Sequence, residues 1–203
     1  MIEAASSAPI CRLVLIRHAV AQGNGRFYGH TDVPLAPAAR QQLRTLTRKI
    51  SRYPVQVVYT SDLQRAQATA IAVARKFGAE IIVRPGLREM HFGKWERLSW
   101  AEVARRFPRS SRVWLTRFPN HPIPGGERFD AFKKRVRHEL GQIVAANAGR
   151  SAAVVTHAGV ARVILAGGLG VPDRYLFRMA LDPAALSVID VAPEGVVVQL
   201  VNG

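Results

Sequence analysis

The sequence has very little cysteine and no long apolar stretch. Cys11 is the only cysteine among 203 residues, so a disulfide cannot form within the chain. No apolar run approaches the roughly 20 residues that a transmembrane helix needs. Residues 1–10 contain no lysine or arginine and no long apolar segment, which is not typical of a secretory signal, and we interpret them as a short leader. We therefore expect a cytoplasmic protein with no membrane partner.

Acidic residues and lysines are scarce as well. The chain has 14 Asp and Glu against 29 Lys and Arg, which gives a formal net charge of +15, and only five of those cations are lysines. Such a charge attracts phosphorylated small molecules, acidic lipids or nucleic acid. A genome with GC-rich codons would produce the same preference for arginine. The basic stretches 105–112 and 133–137 fit solvated helix faces, so nucleic acid is the disfavoured partner.

The apolar pattern predicts alternating strands and helices. Strands are predicted over residues 12–17, 55–60, 80–83, 152–157, 186–192 and 196–201. Helices are predicted over residues 37–51, 62–77, 99–107, 127–147 and 159–169, with Ser61-Asp62 as the cap of the second. The early strands are almost continuously apolar, which is typical of a sheet that is covered on both faces. The fold class predicted is α/β, a three-layer α/β/α sandwich with a mostly parallel six-stranded sheet.

The domain organisation predicted from the same pattern is simple. No internal repeat or low-complexity linker interrupts the chain, so residues 1–203 are assigned to one domain. Residues 94–126 are interpreted as an excursion that passes over the rim of the sheet, and 108–126 are its least regular part. The three tryptophans are assigned to packing in the core or under this excursion.

Polar side chains follow three of the predicted strands. Arg17-His18 ends the first strand, Thr60-Ser61 leads from the second strand to Arg65, and Thr156-His157 ends the fourth. Ligands of such sheets bind beyond the carboxyl ends of strands, so these groups can share one rim.

Two arginines and two histidines that meet at one rim would form a cationic pocket. Guanidinium forks match phosphate oxygens, and a histidine beside them has a lowered pKa and can act as a neutral nucleophile. A general acid is also needed to protonate the leaving group, and Glu89 is the candidate, with Glu96 and Glu127 as competitors. The sequence has no metal-binding motif, so neither a metal nor another cofactor is predicted.

Five segments, in order along the chain, resemble the histidine phosphatase superfamily, which includes the cofactor-dependent phosphoglycerate mutases. The segments are Arg17-His18 with Asn24, GRFYGHTDVPL (25–35), YTSDLQRAQATA (59–70), LREMHFGKWE (87–96) and VVTHAGVAR (154–162). The resemblance covers roughly residues 12–192 and implies a phosphoglycerate mutase-like fold.

The resemblance also implies roles for individual residues. His18 would carry a transient phosphoryl group, and Glu89 would be the proton donor and would then activate water. Arg17, Asn24, Arg65 and His157 would bind the phosphoryl group. Tyr28-Gly29 would contact the rest of the substrate.

Within the superfamily, the acid-bearing loop resembles the form found in small phosphatases. The alpha-ribazole phosphatases are similar in three segments: this loop (residues 89–96), residues 123–136 and residues 177–191. The similarity implies a hydrolase of cobalamin biosynthesis that acts on alpha-ribazole 5′-phosphate through a phosphohistidine. A broad-specificity phosphatase, a phosphoglycerate mutase and a catalytically inactive polyanion-binding module are the alternatives. The partner predicted is a small phosphorylated metabolite, and a homodimer is left open. Ala19-Val20-Ala21 departs from the usual continuation after Arg-His, which bears on rate and substrate choice.

Overall fold

The computed structural model describes residues 9–203, apart from the side chain of Leu115, so most of the predicted leader (residues 1–10) lies outside the described residues. The strands are β1 (Cys11–Arg17), β2 (Val57–Thr60), β3 (Glu80–Val83), β4 (Ser151–Thr156), β5 (Leu186–Ala192) and β6 (Gly195–Leu200). The helices are α1 (Ala39–Ile50), α2 (Gln64–Phe77), α3 (Trp100–Arg106), α4 (Pro108–Arg117), α5 (Phe129–Ala146) and α6 (Ala158–Leu169). Short 3₁₀ turns cover Pro85–Leu87, Gly93–Trp95 and Asp173–Arg178.

The six strands form one sheet in the order β3-β2-β4-β1-β5-β6. The pairs β2–β3, β2–β4 and β1–β4 are parallel, whereas β5 is antiparallel to both β1 and β6. Only β5 therefore runs against the other five strands. The prediction of a mostly parallel six-stranded α/β sheet is confirmed.

The central strands are buried on both faces because successive side chains point to opposite sides. Leu13 and Leu15 pack into a core with α5 and α6, while Val14 and Ile16 pack into a second core with α1 and α2. Burial on both faces explains why these strands are continuously apolar in sequence.

Two local predictions were wrong. Residues 108–117 were expected to be irregular, but they form α4, which begins with Pro108 in the first turn, where its missing N–H is not needed. Ser61-Asp62 does not cap α2. Instead, the carboxylate of Asp32, from a distant loop, accepts the N–H of Gln64 at 2.9 Å, and Asp62 is paired with Arg88.

The arrangement of β1, β4 and β2 decides where the polar strand ends lie. These three strands are consecutive neighbours in the sheet and all run in the same direction. Their carboxyl ends therefore open onto one edge of the sheet. Among the described helices, none has both the length and the apolar character required to cross a membrane.

Candidate active site

The ends of β1, β2 and β4 bring two histidines together. Arg17 is in register with Thr156, and the N–H of His18 donates to the carbonyl of Thr156 at 2.8 Å. This places the rings of His18 and His157 edge to face, with centroids 5.0 Å apart. Ser61, just after β2, lies with its hydroxyl oxygen 2.8 Å from Nε2 of His157. Three strand ends thus converge on one pair of imidazoles.

One hydrogen bond determines the tautomer of His18. Its Nδ1 lies 2.7 Å from the carbonyl oxygen of Ala19, which can only accept, so Nδ1 carries the hydrogen. Burial lowers the pKa of His18 to about 3, and the cations Arg65 and Arg17 add to this effect. The ring is therefore neutral at physiological pH, and Nε2 holds a free lone pair.

Arg65 projects from the first turn of α2 into the rim and is 1% exposed. Its Nη1 donates to the carbonyl of Thr31 at 2.9 Å, and its Nη2 donates to the carbonyls of Tyr28 and Gly29 at 3.0 and 2.8 Å. The loop 28–31 therefore fixes the guanidinium in one orientation. This loop is anchored in turn by Glu96, whose carboxylate accepts the backbone N–H of Gly29 at 3.1 Å.

Buried nitrogens of three side chains in this cluster have no hydrogen-bond partner among the described residues. They are Nε of Arg17, Nε of Arg65 and Nδ1 of His157. Arg17 is otherwise held by a 2.6 Å bond from Nη1 to the carbonyl of Leu181. Buried donors without partners are costly, so the arrangement is suited to an anion with several acceptor oxygens.

Glu89 lies at the same rim and is 8% exposed. Its Oε2 accepts the N–H of Gly159 in the first turn of α6 at 2.9 Å, and its Oε1 accepts the N–H of Met90 at 2.9 Å. A Cβ on Gly159 would lie 2.1 Å from Oε1 of Glu89, so only glycine allows this approach.

The two competing carboxylates are engaged elsewhere. Glu96 accepts backbone N–H groups from the loop 29–31 and from Phe92. Burial alone would raise the pKa of Glu96, but the hydrogen bonds from Thr31 and Phe92 outweigh burial and lower it. Glu127 is paired with Arg135 at 2.7 Å. Neither Glu96 nor Glu127 lines the cavity described next, whereas Glu89 does.

A cavity of about 230 Å³ opens from the histidine pair. Its polar end is lined by Arg17, His18, Arg65 and Glu89, and eight of the other lining residues are aromatic. The aromatic wall consists of Phe27, Tyr28, Phe92, Trp114, Phe118, Phe129, Phe132 and Phe177. The cavity can therefore hold an anion at one end and a flat apolar group at the other.

Of the remaining predicted residues, some line this cavity and others do not. Asn24 and Tyr28 line it, and Asn24 is exposed. Gly29 does not line it, and its carbonyl holds Arg65 instead. Within residues 9–203, no group of three or more His, Cys, Asp and Glu side chains is placed to hold a metal ion.

Sequence reasoning missed Arg162 and the aromatic wall. Arg162 on α6 lines the cavity, its Nε donates to the carbonyl of Met179 at 3.0 Å, and its Cζ lies 5.5 Å from the ring centre of Phe177. Its place in the segment 154–162, just after His157, was the signal available for Arg162. Trp114 packs in the core as predicted, but it also lines the cavity. The aromatic wall had no signal because its rings come from five separate segments.

Comparison with known proteins identifies the family. The family model of the histidine phosphatase superfamily (branch 1) matches residues 13–203. A bifunctional protein of Mycobacterium tuberculosis is 33% identical over 195 residues, which are 94% of this chain and 53% of that protein, so the chain spans about half of that relative's length.

Two relatives match along most of their length. An adenosylcobalamin/alpha-ribazole phosphatase of Salmonella typhimurium is 28% identical over 94% of this chain and 96% of its own. The crystal structure of the alpha-ribazole phosphatase from Shigella flexneri has a TM-score of 0.85 at 27% identity, covering 95% of this chain and 96% of that one. The chain therefore belongs to branch 1 of the histidine phosphatase superfamily.

Proposed function

We propose that this chain hydrolyses phosphomonoesters in two steps, without a metal ion, through a phosphohistidine on Nε2 of His18. The observation that carries the proposal is the hydrogen bond from Nδ1 of His18 to Ala19, which leaves the Nε2 lone pair free beside buried, unpartnered donors. A neutral nucleophile that is surrounded by cationic and N–H donors is what attack on a phosphate dianion requires.

In the first step, the phosphate oxygens accept hydrogen bonds from Arg17, Arg65 and His157. A Ser61 hydroxyl that donates to Nε2 of His157 leaves the hydrogen of this ring on Nδ1, where it can point to the anion. Asn24 at the cavity mouth is a further donor. These donors neutralise charge on the equatorial oxygens as the phosphoryl group moves.

The bonds change as follows. The Nε2 lone pair of His18 attacks phosphorus, the ester P–O bond breaks, and the carboxyl group of Glu89 gives its proton to the leaving oxygen. In the second step, the Glu89 carboxylate takes a proton from water, whose oxygen attacks phosphorus. The N–P bond then breaks and inorganic phosphate is released.

For the substrate, we propose alpha-ribazole 5′-phosphate as the leading candidate. Two relatives are named for this activity, and the base of alpha-ribazole is a flat aromatic group that suits the aromatic wall. The wall also suits other phosphomonoesters with apolar leaving groups, so a broad-specificity phosphatase is the second candidate. A phosphoglycerate mutase is disfavoured because its small, carboxylate-bearing substrates would face phenylalanine rings. A cytoplasmic location and a homodimer stay predictions.

The reaction is tested with the His18→Ala variant and a panel of phosphorylated metabolites in the presence of a chelator. We expect the wild-type protein to turn over substrate and to form an acid-labile phosphoenzyme, and the variant to do neither. Full activity in His18→Ala, or loss of wild-type activity in chelator, would contradict the proposal. A panel that contains alpha-ribazole 5′-phosphate, 3-phosphoglycerate and simple aryl phosphates identifies the leaving group that the cavity prefers.

The role of Glu89 is tested with matched leaving groups. Glu89→Gln should slow the hydrolysis of benzyl phosphate, a poor leaving group, about 100-fold or more. The same variant should slow p-nitrophenyl phosphate far less, because nitrophenolate departs without a proton. An equal loss of rate for both substrates would contradict the role of Glu89 as the general acid.

A further inference from the structure

Arg135 lies behind the loop that carries Glu89 and does not line the cavity. From α5, its Nη1 donates to the carbonyls of Gly86 at 2.9 Å and Arg88 at 2.7 Å, and its Nη2 donates to the carbonyl of Glu89 itself at 2.8 Å. One guanidinium thus binds three carbonyls of the segment that leads into Glu89.

The same guanidinium forms a bidentate ion pair with Glu127. The distances are 2.7 Å from Nε to Oε1 and 2.8 Å from Nη2 to Oε2. Oε2 of Glu127 also accepts the N–H of His91 at 3.3 Å. Arg135 and Glu127 together, which we call the acid-loop clamp, therefore hold the backbone on both sides of Glu89.

The acid-loop clamp also connects the Glu89 loop to the aromatic wall. Cζ of Arg135 lies 4.8 Å from the ring centre of Phe132, one turn earlier on α5, and Phe132 lines the cavity. A lysine could not replace this arrangement because it has one charged nitrogen, whereas all five contacts of Arg135 use a rigid planar fork. The side-chain carboxylate of Glu89 accepts hydrogen bonds from two backbone N–H groups. These bonds hold the carboxylate only if the backbone of the loop stays in place.

We propose that Arg135 is a positioning residue for the reaction: through the acid-loop clamp, it sets the place of the Glu89 carboxyl group relative to the leaving oxygen. This inference rests on the proposed function, in which Glu89 protonates that oxygen. A displacement of about 1 Å at a catalytic group is enough to cost roughly 100-fold in rate.

The experiment compares two substrates that both carry an aromatic ring. Benzyl phosphate needs a general acid, and p-nitrophenyl phosphate does not. The kcat/KM value reports the step in which the P–O bond breaks, so the ratio of the two kcat/KM values measures how well the acid acts. A merely structural role would lower both values equally, since it reduces only the fraction of folded enzyme.

The variants are Arg135→Met and Glu127→Gln, with Arg137→Met as the control. Arg137 is exposed on the same helix, so its variant loses the same charge without touching the loop. We expect both clamp variants to lose at least tenfold in kcat/KM for benzyl phosphate and less than threefold for p-nitrophenyl phosphate. Arg137→Met should keep the wild-type ratio. Combining Arg135→Met with Glu89→Gln should change the ratio no further than Glu89→Gln alone, because the acid is already missing.

Equal losses for the two substrates in both clamp variants would overturn the proposal while leaving Glu89 as the acid. An unchanged ratio in Glu127→Gln would do the same if Arg135→Met does not fold. Failure of the proposed function would give a different result. Glu89→Gln would then lower kcat/KM equally for the two substrates, and this result would contradict both the role of Glu89 and the inference about Arg135.

Discussion

Acid should destabilise this protein through His18. Burial, together with the cations Arg65 and Arg17, lowers the pKa of His18 from 6.5 to about 3 in the folded state. Between these two values, the unfolded chain binds a proton that the folded protein does not. Since the unfolded state then holds more protons, stability falls as the pH drops below about 6.5 and continues to fall towards pH 3.

The magnitude follows from the size of the shift. Each unit of pH inside this window costs about 1.4 kcal/mol per histidine, so the step from pH 7 to pH 5 removes about 2 kcal/mol through His18 alone. The pKa of His157 also lies well below its usual value, because of burial and the neighbouring His18, and this adds a loss in the same direction. Asp62 and Asp190, whose pKa values are lowered mainly by hydrogen bonds from arginines, act only below about pH 4.

The assay is urea unfolding at pH 7 and pH 5. The wild-type protein should lose about 2 kcal/mol more between these pH values than His18→Gln, which cannot take up the proton. His138→Gln, a change at an exposed position on α5, should behave like the wild type. If the wild type and His18→Gln lose the same free energy, the folded protein accepts the proton at His18, and the argument for a buried neutral nucleophile fails.

Two other outcomes are expected. Phe177→Ala should raise KM about tenfold for aryl phosphates and leave that of a small alkyl phosphate unchanged. The reason is that Phe177, although 51% exposed, packs against Trp114 and Phe118 with ring centres 5.0 and 4.7 Å apart. An equal change for both substrates would argue against an aromatic subsite. The net charge of +15 should make kcat/KM for phosphate dianions fall severalfold between low and physiological salt, and a rate constant independent of salt would contradict steering.

Local patterns in the sequence were sufficient for the fold class and for the polar strand ends that meet at one rim. Apolar patterns predicted all six strands, and in β1, β2 and β4 burial on both faces leaves a direct trace as an almost continuous apolar run. Arg17-His18 and Thr156-His157 could be placed at one rim because parallel strands end on the same side of a sheet. The roles of these residues came from the resemblance and stay proposals.

Contacts between distant segments, in contrast, were decided only by the tertiary structure. The cap of α2 comes from Asp32, 32 residues before Gln64, and no pattern around Ser61-Asp62 could reveal it. The acid-loop clamp joins Arg135 to carbonyls 46 to 49 residues earlier in the chain, and carbonyls carry no sequence signal at all. The same holds for the eight rings of the aromatic wall, which are typical core residues until the fold places them around one cavity. Short motifs therefore carry the resemblance on which the proposed reaction rests, whereas the position of Glu89 and the shape of the cavity depend on how the chain packs.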